Sequence, residues 1–177
     1  MDDVWTIGHS TRSLEEFIGV LRVHDIEAIV DVRRFPGSRR LPHFNEGPLA
    51  DGLEHAGIAY RSVPSLGGRR RPAPDSVNTG WRHEAFRGYA DHLASEEFAG
   101  GLFELVTIAG GLRTAVMCAE MLWWQCHRRL IADVLLTLGY QAWHIQTEKP
   151  AEAHRLIDPA RLIDRQLSYA AGQETLF

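Results

Sequence analysis

The stretch EAIVDVR at residues 27–33 has an apolar centre with almost no polar alternation. Such a strand is buried on both faces, as is typical of a parallel sheet that helices cover on each side. Comparable strand patterns recur as VWTIGHS at 4–10, IAYRSVPSL at 58–66, RTAVMCAE at 113–120 and YQAWHIQT at 140–147. Because helical patterns separate them, we predict one α/β domain over residues 1–170. Its fold would be an open, mostly parallel five-stranded sheet with helices on both faces, a Rossmann-like three-layer sandwich.

The helical segments carry recognisable start and stop signals. Ser13 and Glu16 form a capping box before the first helix, and Gly139 ends a helix that begins at CHRR. We expect other helices at 48–56, 83–98 and 101–109, and a weaker helical pattern over 151–167 that is broken at Pro159. The stretch GGRRRPAPDSVNTG at 67–80 is too long for a routine connection, which indicates a functional or mobile loop.

The composition is that of an ordinary globular protein, with 45% hydrophobic and 24% charged residues among 177. No apolar run approaches the roughly 20 residues of a membrane helix, and the acidic start MDDVWTIGHS is unlike a secretory signal. We therefore expect no membrane association. The two cysteines, in a chain without such a signal, favour a reducing compartment. The expected location is the cytoplasm.

The charged residues are unevenly placed. Of the 19 basic residues only Lys149 is a lysine, and eight of the arginines lie between residues 33 and 71 with only three acids, a net charge of about +5 for that segment. The planar fork of arginine suits bidentate contacts with phosphate or carboxylate. The segment therefore indicates an anion site, and a solvated basic surface is the alternative.

Polar residues follow the predicted strands where each strand ends. In open α/β sheets, ligands bind beyond the carboxyl ends of the strands. The residues at these ends are His9, Ser10, Asp31, Arg33, Gly67, Gly68, Cys118 and Glu120. We therefore expect these residues to converge at one edge of the sheet.

Both cysteines lie in MCAEMLWWQCHRRL at residues 117–130. Cys126 stands where the last predicted helix begins, and a helix N-terminus together with the cations His127 and Arg128 favours the thiolate. Glu120 would orient His127 or act as a general acid or base. The predicted catalytic residues are Cys126, His127, Glu120, His9 and Cys118. A buried structural role is the alternative for each cysteine, and for Cys118 it is the favoured one.

A metal site is a weaker interpretation of the same stretch. The spacing C-x7-C-H matches none of the usual structural zinc patterns, which pair ligands as C-x(2–4)-C and H-x(3–5)-H. His9 would be the fourth ligand beside Cys118, Cys126 and His127. We therefore predict no metal or other cofactor, and zinc or iron is the less favoured alternative.

A phosphate cradle is a third interpretation, and it needs no sulfur chemistry. Backbone N–H groups at the helix start would hold an anion together with the arginines of SLGGRRR and DVRRFPGSRR. The predicted anion-binding residues are Ser10, Arg33, Ser38, Arg39, Gly67, Gly68, Arg69 and Arg128. Phe44, Tyr60 and Trp81 lie in or beside these loops and would either stack on a base or anchor the loops. Together these features favour a nucleotide or nucleic acid over a simple metabolite.

Several short motifs appear in order: GHS at 8–10, DVRRFPGS at 31–38, HFN at 43–45, GIAYRSVPSLGG at 57–68, MCAE at 117–120 and CHR at 126–128. This set resembles the bacterial family catalogued as domain of unknown function 488. The resemblance implies a cytoplasmic α/β sandwich with no established reaction, in which the motif positions look like a site. The link MLWWQ before CHR is more apolar here than the short polar link usual in the family.

Residues 171–177, AGQETLF, are predicted to form a flexible tail after the domain. Gln173, Leu176 and Phe177 match a Q-x-x-L-F pattern that resembles the clamp-binding peptides of bacterial replication and repair proteins. Such a peptide buries its Leu and Phe in a pocket while the Gln makes a polar anchor. We therefore expect a sliding clamp as a partner, and a Leu-Phe pair that packs back on the domain is the alternative.

Taken together, these features predict an enzyme that acts on a nucleotide or on DNA, in DNA repair or processing. The reaction would be hydrolysis or transfer on a phosphate-containing substrate. A non-catalytic nucleic-acid-binding or clamp-associated module is one alternative, and a small-molecule thiol or metal enzyme is another.

Overall fold

A single sheet organises the chain, which the computed structural model describes over residues 3–172. The strands of this sheet are β1 (Asp3–Gly8), β2 (Ala28–Asp31), β3 (Ala59–Ser62), β4 (Thr114–Cys118), β5 (Gln141–Ile145) and β6 (Glu152–Ala153). The helices around it are α1 (Leu14–Val23), α2 (Glu46–His55), α3 (Glu84–His92), α4 (Glu96–Ala109) and α5 (Arg128–Thr137). The strand order is β3-β2-β4-β1-β5-β6. The strands from β1 to β5 pair in parallel, whereas β6 is antiparallel to β5.

Successive residues of each central strand point into two different cores, because side chains alternate across a strand. Ile29 of β2 belongs to a core with Phe17 of α1 and Leu49 of α2. Its neighbour Val30 belongs to a second core, together with Leu105 of α4 and Ile131 of α5. The α/β three-layer fold is thus confirmed, with six strands rather than five. No helix within residues 3–172 is both long and apolar enough to cross a membrane.

The helix predicted over residues 151–167 is wrong. This segment forms β6 and then a hairpin of β7 (Arg161–Ile163) and β8 (Gln166–Ser168). Asp164 and Arg165 at the hairpin turn have φ values of 51° and 65°. Positive φ at both central residues is the geometry of a type I′ turn, which joins two strands and cannot continue a helix.

The break between α3 and α4 lies at residues 93–95, and the break predicted between residues 98 and 101 is wrong. Ser95 begins α4, because its hydroxyl accepts the N–H of Phe98 at 3.1 Å. Gly101 lies inside α4, where an added Cβ would come within 2.4 Å of Ser65 Oγ. This glycine therefore allows close packing of the helix and does not end it.

The carboxyl ends of β1, β2 and β4 lie side by side. The pairing of β1 with β4 continues past the strands, since the His9 N–H donates to the Cys118 carbonyl at 2.9 Å. Gly8 permits this approach, because a Cβ there would lie 1.7 Å from the carbonyl oxygen of Glu120. The chain leaves β1 toward β2 and β3 on one side, and β5 lies on the other side. This edge is therefore the topological switch point at which open α/β sheets bind ligands.

Candidate active site

A pocket of about 330 Å³ opens at the carboxyl ends of β2 and β4. Its lining comes from the segments after β2, β3 and β4 and from the start of α3. The lining residues include Arg33, Arg34, Phe35, Gly68, Arg69, His83, Phe86, Cys118, Glu120, Gln125, Cys126 and His127. Glu120 is the only acid that lines this pocket, all of whose walls lie within residues 3–172. The pocket is therefore rich in positive charge.

Two cysteines meet in the wall of this pocket. Cys118 ends β4 and Cys126 lies two residues before α5, yet their Sγ atoms are only 2.9 Å apart. A carboxylate oxygen of Glu120 lies 3.4 Å from Cys126 Sγ, and the Glu120 carbonyl lies 3.5 Å from Cys118 Sγ. Both thiols are free, and the two residues are only 1% and 2% exposed. The pocket thus contains a nearly buried dithiol with a carboxylate beside it.

The start of α5 surrounds the sulfur of Cys126 with donors. Its Sγ accepts the N–H of Arg128, the first residue of the helix, at 3.5 Å, and His127 Nδ1 lies 3.5 Å away. The His127 ring packs against Tyr89 with a centroid distance of 5.0 Å. Gly68 leaves room for that ring, since a Cβ there would lie 2.9 Å from His127 Nδ1. A thiolate is favoured here, because N–H groups at a helix N-terminus attract negative charge.

The Arg128 side chain is fully buried and points away from the pocket space. It donates hydrogen bonds to the carbonyls of Glu120 at 2.7 Å and Met121 at 3.0 Å, and to the Thr6 hydroxyl at 3.3 Å. Within residues 3–172, no carboxylate forms an ion pair with it. Arg128, which we predicted to bind an external anion, is therefore held by the backbone.

The charge of Arg128 needs an anion, because an unpaired buried cation is costly. Burial lowers the pKa of Arg128, but its interactions with the neighbouring Cys118 and Cys126 side chains outweigh burial and raise that pKa above its ordinary value. The sulfur pair is thus the counter-ion of this arginine. The arrangement keeps one negative charge on the pair.

The two thiols have pKa values displaced in opposite directions. Burial raises the pKa of Cys126, but the hydrogen bond from Cys118 and the positive charges of His127 and Arg128 together hold it well below its ordinary value. Burial raises the pKa of Cys118, and its hydrogen bond to Cys126 adds to the increase. The negative charge therefore resides on Cys126, and Cys118 keeps its proton.

A second polar cluster lies at the ends of β1 and β2. The Arg33 guanidinium pairs with the buried Asp31 carboxylate at 2.7 Å and donates to His9 Nε2 at 3.3 Å. The Tyr60 hydroxyl donates to the same carboxylate at 2.8 Å, and the His9 ring stacks on Phe44 at 4.1 Å. Burial lowers the pKa of His9 to about 4, against the opposing effect of its hydrogen bond to the Ser10 carbonyl. His9 is therefore a neutral group that positions Arg33.

An exposed phenylalanine lies between two arginines at the mouth of the pocket. Phe35 is 64% exposed, and the guanidinium carbons of Arg34 and Arg69 lie 5.5 Å and 5.8 Å from its ring centroid. The Arg34 guanidinium donates to the Arg69 carbonyl at 3.2 Å, which ties the two loops together. Neither arginine has a carboxylate within ion-pair distance in the described part of the chain.

Residues 13–135 match the family model described as Domain of unknown function DUF488. The chain belongs to the DUF488 family. No curated protein and no solved structure matches it. The match spans α1 to most of α5 and includes both cysteines, but it leaves out β1 with His9 and Ser10. The resemblance inferred from the motifs is thereby confirmed for most of this DUF488 chain.

The structure brings most of the predicted catalytic and anion-binding residues of this DUF488 domain to one pocket. Those that line it are Arg33, Gly68, Arg69, Cys118, Glu120, Cys126 and His127. Gly67 lies behind the lining, where an added Cβ would come within 2.8 Å of Arg34 Cβ. Ser10 and Arg39 do not line the pocket. The Ser38 hydroxyl accepts the N–H of Leu41 at 3.1 Å and so holds its own loop.

Other predicted residues have structural roles or lie outside the described residues. Phe44 is buried beneath His9, Tyr60 hydrogen bonds to Asp31, and Trp81 is nearly buried against Phe86 with a centroid distance of 4.7 Å. The clamp-binding residues Gln173, Leu176 and Phe177 lie outside residues 3–172. Arg34 and Phe35 line the pocket but are not among the individually predicted site residues, although the aromatic residue between RR and PGSRR is a usable signal.

The dithiol and its carboxylate could also hold a metal ion. One donor atom each of Cys118, Glu120 and Cys126 lies within 4.8 Å of the others. Two thiolates on a tetrahedral zinc ion stand about 3.8 Å apart, given a Zn–S distance of about 2.3 Å. The observed Sγ–Sγ distance of 2.9 Å is shorter than this. The sulfur geometry is thus closer to a directly interacting thiol pair than to two metal ligands.

A buried chain of hydrogen bonds leads from Arg128 past β1 and β5 to Asp133, which lies one turn further along α5. Arg128 donates to the Thr6 hydroxyl, which donates to His144 Nδ1 at 2.7 Å. His144 Nε2 then donates to His154 Nδ1 at 2.9 Å, and His154 Nε2 donates to the Asp133 carboxylate at 2.8 Å. Burial lowers the pKa of His144 to about 2, so its ring is neutral, as this direction of the bonds requires. The DUF488 site is thereby tied to the C-terminal segment.

Proposed function

We propose that this protein is a cysteine-dependent enzyme that acts on a phosphate-containing substrate of the nucleotide or DNA class, with the Cys126 thiolate as the nucleophile. One observation carries the proposal. Cys126 Sγ accepts the first N–H of α5 at 3.5 Å and lies in the wall of a pocket lined by Arg33, Arg34 and Arg69. A nucleophile that meets its substrate in a cationic pocket is suited to an anionic electrophile.

The arginines at the mouth support phosphate as the anion. Arg34 and Arg69 have no carboxylate partner within residues 3–172, so their guanidinium groups are not neutralised there. Arginine binds phosphate oxygens through its planar fork. Phe35 stands exposed between the two arginines and offers a face on which a base would stack. The combination favours a nucleotide or a single-stranded segment of DNA.

The proposed chemistry follows from the neighbours of Cys126. The thiolate would form a bond to phosphorus while the bond between phosphorus and the leaving oxygen breaks. The leaving oxygen would take a proton from water, and the Glu120 carboxylate, which lies 3.4 Å from the sulfur, would accept the proton of the molecule that attacks the thiophosphate. Attack by water on the thiophosphate would restore the thiolate in a hydrolase, and attack by an alcohol would do so in a transferase.

The test uses alkylation of Cys126 by iodoacetamide in the full chain, followed by mass spectrometry of its peptides. We expect a mononucleotide to slow alkylation saturably and a sugar without phosphate to have no effect. The double variant Arg34→Ala/Arg69→Ala should weaken the protecting affinity by about tenfold or more, the loss of one to two charge-assisted contacts. Arg155→Ala, which removes an exposed arginine outside the pocket, serves as the control.

Two results would contradict the proposal. Protection by the sugar alone would show that phosphate is not required for binding. Equal protection of all variants would show that the arginines at the mouth do not bind the ligand. Turnover is tested on a panel of nucleotides and short DNA strands with Cys126→Ser beside the wild type. If Cys126→Ser keeps both turnover and binding, the assignment of Cys126 as the nucleophile fails. If neither protein turns over any member but both bind DNA, the non-catalytic nucleic-acid-binding module is the correct interpretation.

We further place the protein in the cytoplasm, in DNA repair or processing, with a sliding clamp as its partner. The low cysteine content, two in 177 residues, supports a reducing compartment. The repair context rests on the Q-x-x-L-F pattern of residues 173–177. A resident metal or cofactor is not part of the proposed reaction.

A further inference from the structure

We infer that Cys118 and Cys126 form a reversible intramolecular disulfide, which closes the site when the protein meets an oxidised low-molecular-weight thiol. The Sγ–Sγ distance of 2.9 Å carries this inference. A disulfide needs about 2.05 Å, so the sulfur atoms must approach by less than 1 Å. The inference rests on the reactive Cys126 of the proposed function and adds a second reactive residue, Cys118, and a disulfide substrate.

The pocket is the side from which an external disulfide would approach the two cysteines. Cys118 and Cys126 both line the pocket, although each residue is almost completely buried. Exchange of a thiol with a disulfide requires an attacking thiolate and a second thiol within reach of the mixed disulfide. Cys126, at the start of α5, is suited to the first role and Cys118, protonated and in contact with it, to the second.

Glu120 provides the base that the second thiol needs. A carboxylate oxygen of Glu120 lies within 4.8 Å of the sulfur atoms of both cysteines. Glu120 is exposed, so a proton that it accepts can pass to water. Without such a base, Cys118 would stay a thiol and the reaction would stop at the mixed disulfide.

The reaction balances with an external disulfide R–S–S–R as the oxidant. Cys126 Sγ attacks one sulfur, the S–S bond breaks, and R–S⁻ leaves and takes a proton from water. Cys118 then gives its proton to Glu120 and attacks Cys126 Sγ, which expels the second R–S⁻. Two electrons pass from the two protein thiols to the external disulfide, which becomes two thiols. In the product, the Cys126 sulfur is held in an S–S bond and cannot act as the nucleophile of the proposed enzyme.

The experiment exposes the full-length wild-type protein to glutathione disulfide, quenches with acid and measures the intact mass. We expect the loss of two hydrogen atoms and no stable glutathione adduct, and dithiothreitol should reverse the change. Chymotrypsin can cut after Trp123 and Trp124, between the two cysteines. Digestion without reduction should therefore yield the Cys118 and Cys126 peptides as one linked species, which requires no variant.

Two variants separate the roles of the cysteines. Cys118→Ser should stop at the mixed disulfide and gain the mass of one glutathione. Cys126→Ser should react at least tenfold more slowly, because it lacks the activated thiolate. Circular dichroism confirms that each variant is folded. A wild-type protein that accumulates the same glutathione adduct as Cys118→Ser would overturn the inference, and so would linked peptides that join two different chains.

Metal analysis of the protein as purified provides the remaining decisive result. The contradicting result is one equivalent of bound metal that a chelator must remove before either thiol reacts. That result would overturn the disulfide and would assign Cys118, Glu120 and Cys126 to a metal site. Iodoacetamide alkylation of Cys126, protected by nucleotide, keeps the two proposals apart. If alkylation and protection occur without disulfide formation, the inference fails alone. If the disulfide forms but no nucleotide protects Cys126, the proposed function fails alone.

Discussion

Arg128 is the single residue on which the chemistry of the site most depends. Its guanidinium is shielded from water, finds no carboxylate among residues 3–172, and lies beside two thiols. Such a cation stabilises the ionised form of a neighbouring acid. The residue at this position thus affects the reactivity of Cys126 without contacting a substrate.

Replacement of Arg128 by Met should raise the pKa of Cys126, because one source of positive charge is removed. The pH at which half of the Cys126 side chains are ionised rises with this pKa. Iodoacetamide alkylation measured from pH 5 to pH 9 should therefore show its midpoint at higher pH in Arg128→Met than in the wild type. Arg129→Met is the matched control, since Arg129 stacks over Trp81 at 4.7 Å. Coincident pH profiles for all three proteins would refute this role of Arg128.

His9 makes folding sensitive to acid. Burial lowers the pKa of His9 from 6.5 to about 4. Between pH 6.5 and pH 4, His9 therefore binds a proton in the unfolded chain but not in the folded chain. The contribution of His9 to the free energy of unfolding is fully present above pH 6.5. It decreases as the pH falls toward 4, by at most about 3 kcal/mol.

The substitution His9→Phe tests this effect, because it keeps an aromatic ring against Phe44 and removes the titrating group. We expect the free energy of unfolding of His9→Phe to decrease less between pH 7 and pH 4.5 than that of the wild type. Urea denaturation at several pH values measures the difference. Parallel pH dependences for the two proteins would show that His9 does not contribute.

Among the elements, the β7–β8 hairpin contacts the body of the domain through Leu167 of β8 and through Tyr169, which follows it. Leu162 and Ile163 of β7 are more than half exposed, so the hairpin buries little apolar surface there. Tyr169, directly after β8, donates its hydroxyl to the buried Asp133 carboxylate of α5 at 2.7 Å. That carboxylate also accepts from His154, and so it joins the end of the chain to the network that begins at Arg128.

Tyr169→Phe should destabilise the domain by about 1–3 kcal/mol, because the buried Asp133 carboxylate loses one of its two donors. Tyr140→Phe is the control, since the Tyr140 hydroxyl makes no side-chain hydrogen bond within the described residues. Chemical denaturation gives the difference in free energy. Amide hydrogen exchange should show that the added opening in Tyr169→Phe centres on residues 157–172. Equal stability of the two variants would contradict the role assigned to this contact.

Across the whole molecule, the sheet brings distant segments to one edge. The sulfur atoms come from β4 and from the residue pair before α5, the arginines from the segments after β2 and β3, and His9 from the end of β1. Parallel strands place all their carboxyl ends at the same edge, and β4 lies between β1 and β2. The pocket therefore follows from the strand order and from no single motif.

Binding to a sliding clamp stays a prediction, because the residues that would make the contact lie outside the described part of the chain. The full-length protein should bind a bacterial sliding clamp, and Leu176→Ala/Phe177→Ala should lose that binding, because both apolar anchors of the peptide are removed. Glu174→Ala, at a variable position of the pattern, should bind as the wild type does. Surface plasmon resonance with immobilised clamp measures all three. Equal binding of the double variant would exclude residues 173–177 as the contact.

The sequence alone determined the five parallel strands, the capped helices and the edge at which polar residues gather. These features follow from local causes, because apolar runs such as 28–32, capping residues such as Ser13 and glycines at helix ends act over a few neighbours. The hairpin over 161–168 was missed, since its residues also fit a weak helical period and its turn needs positive φ at Asp164 and Arg165. Periodicity could not reveal that strain.

The roles of the polar residues at the site depend on contacts that form only when the chain folds. Arg128 reads in sequence as an anion binder, but it turns inward because the carbonyls of Glu120 and Met121 converge on it. Cys118 and Cys126 stand eight positions apart in sequence, and their 2.9 Å contact depends on how the end of β4 packs against the start of α5. Burial and charge, which set the opposite pKa displacements of the two thiols, exist only once the chain has folded.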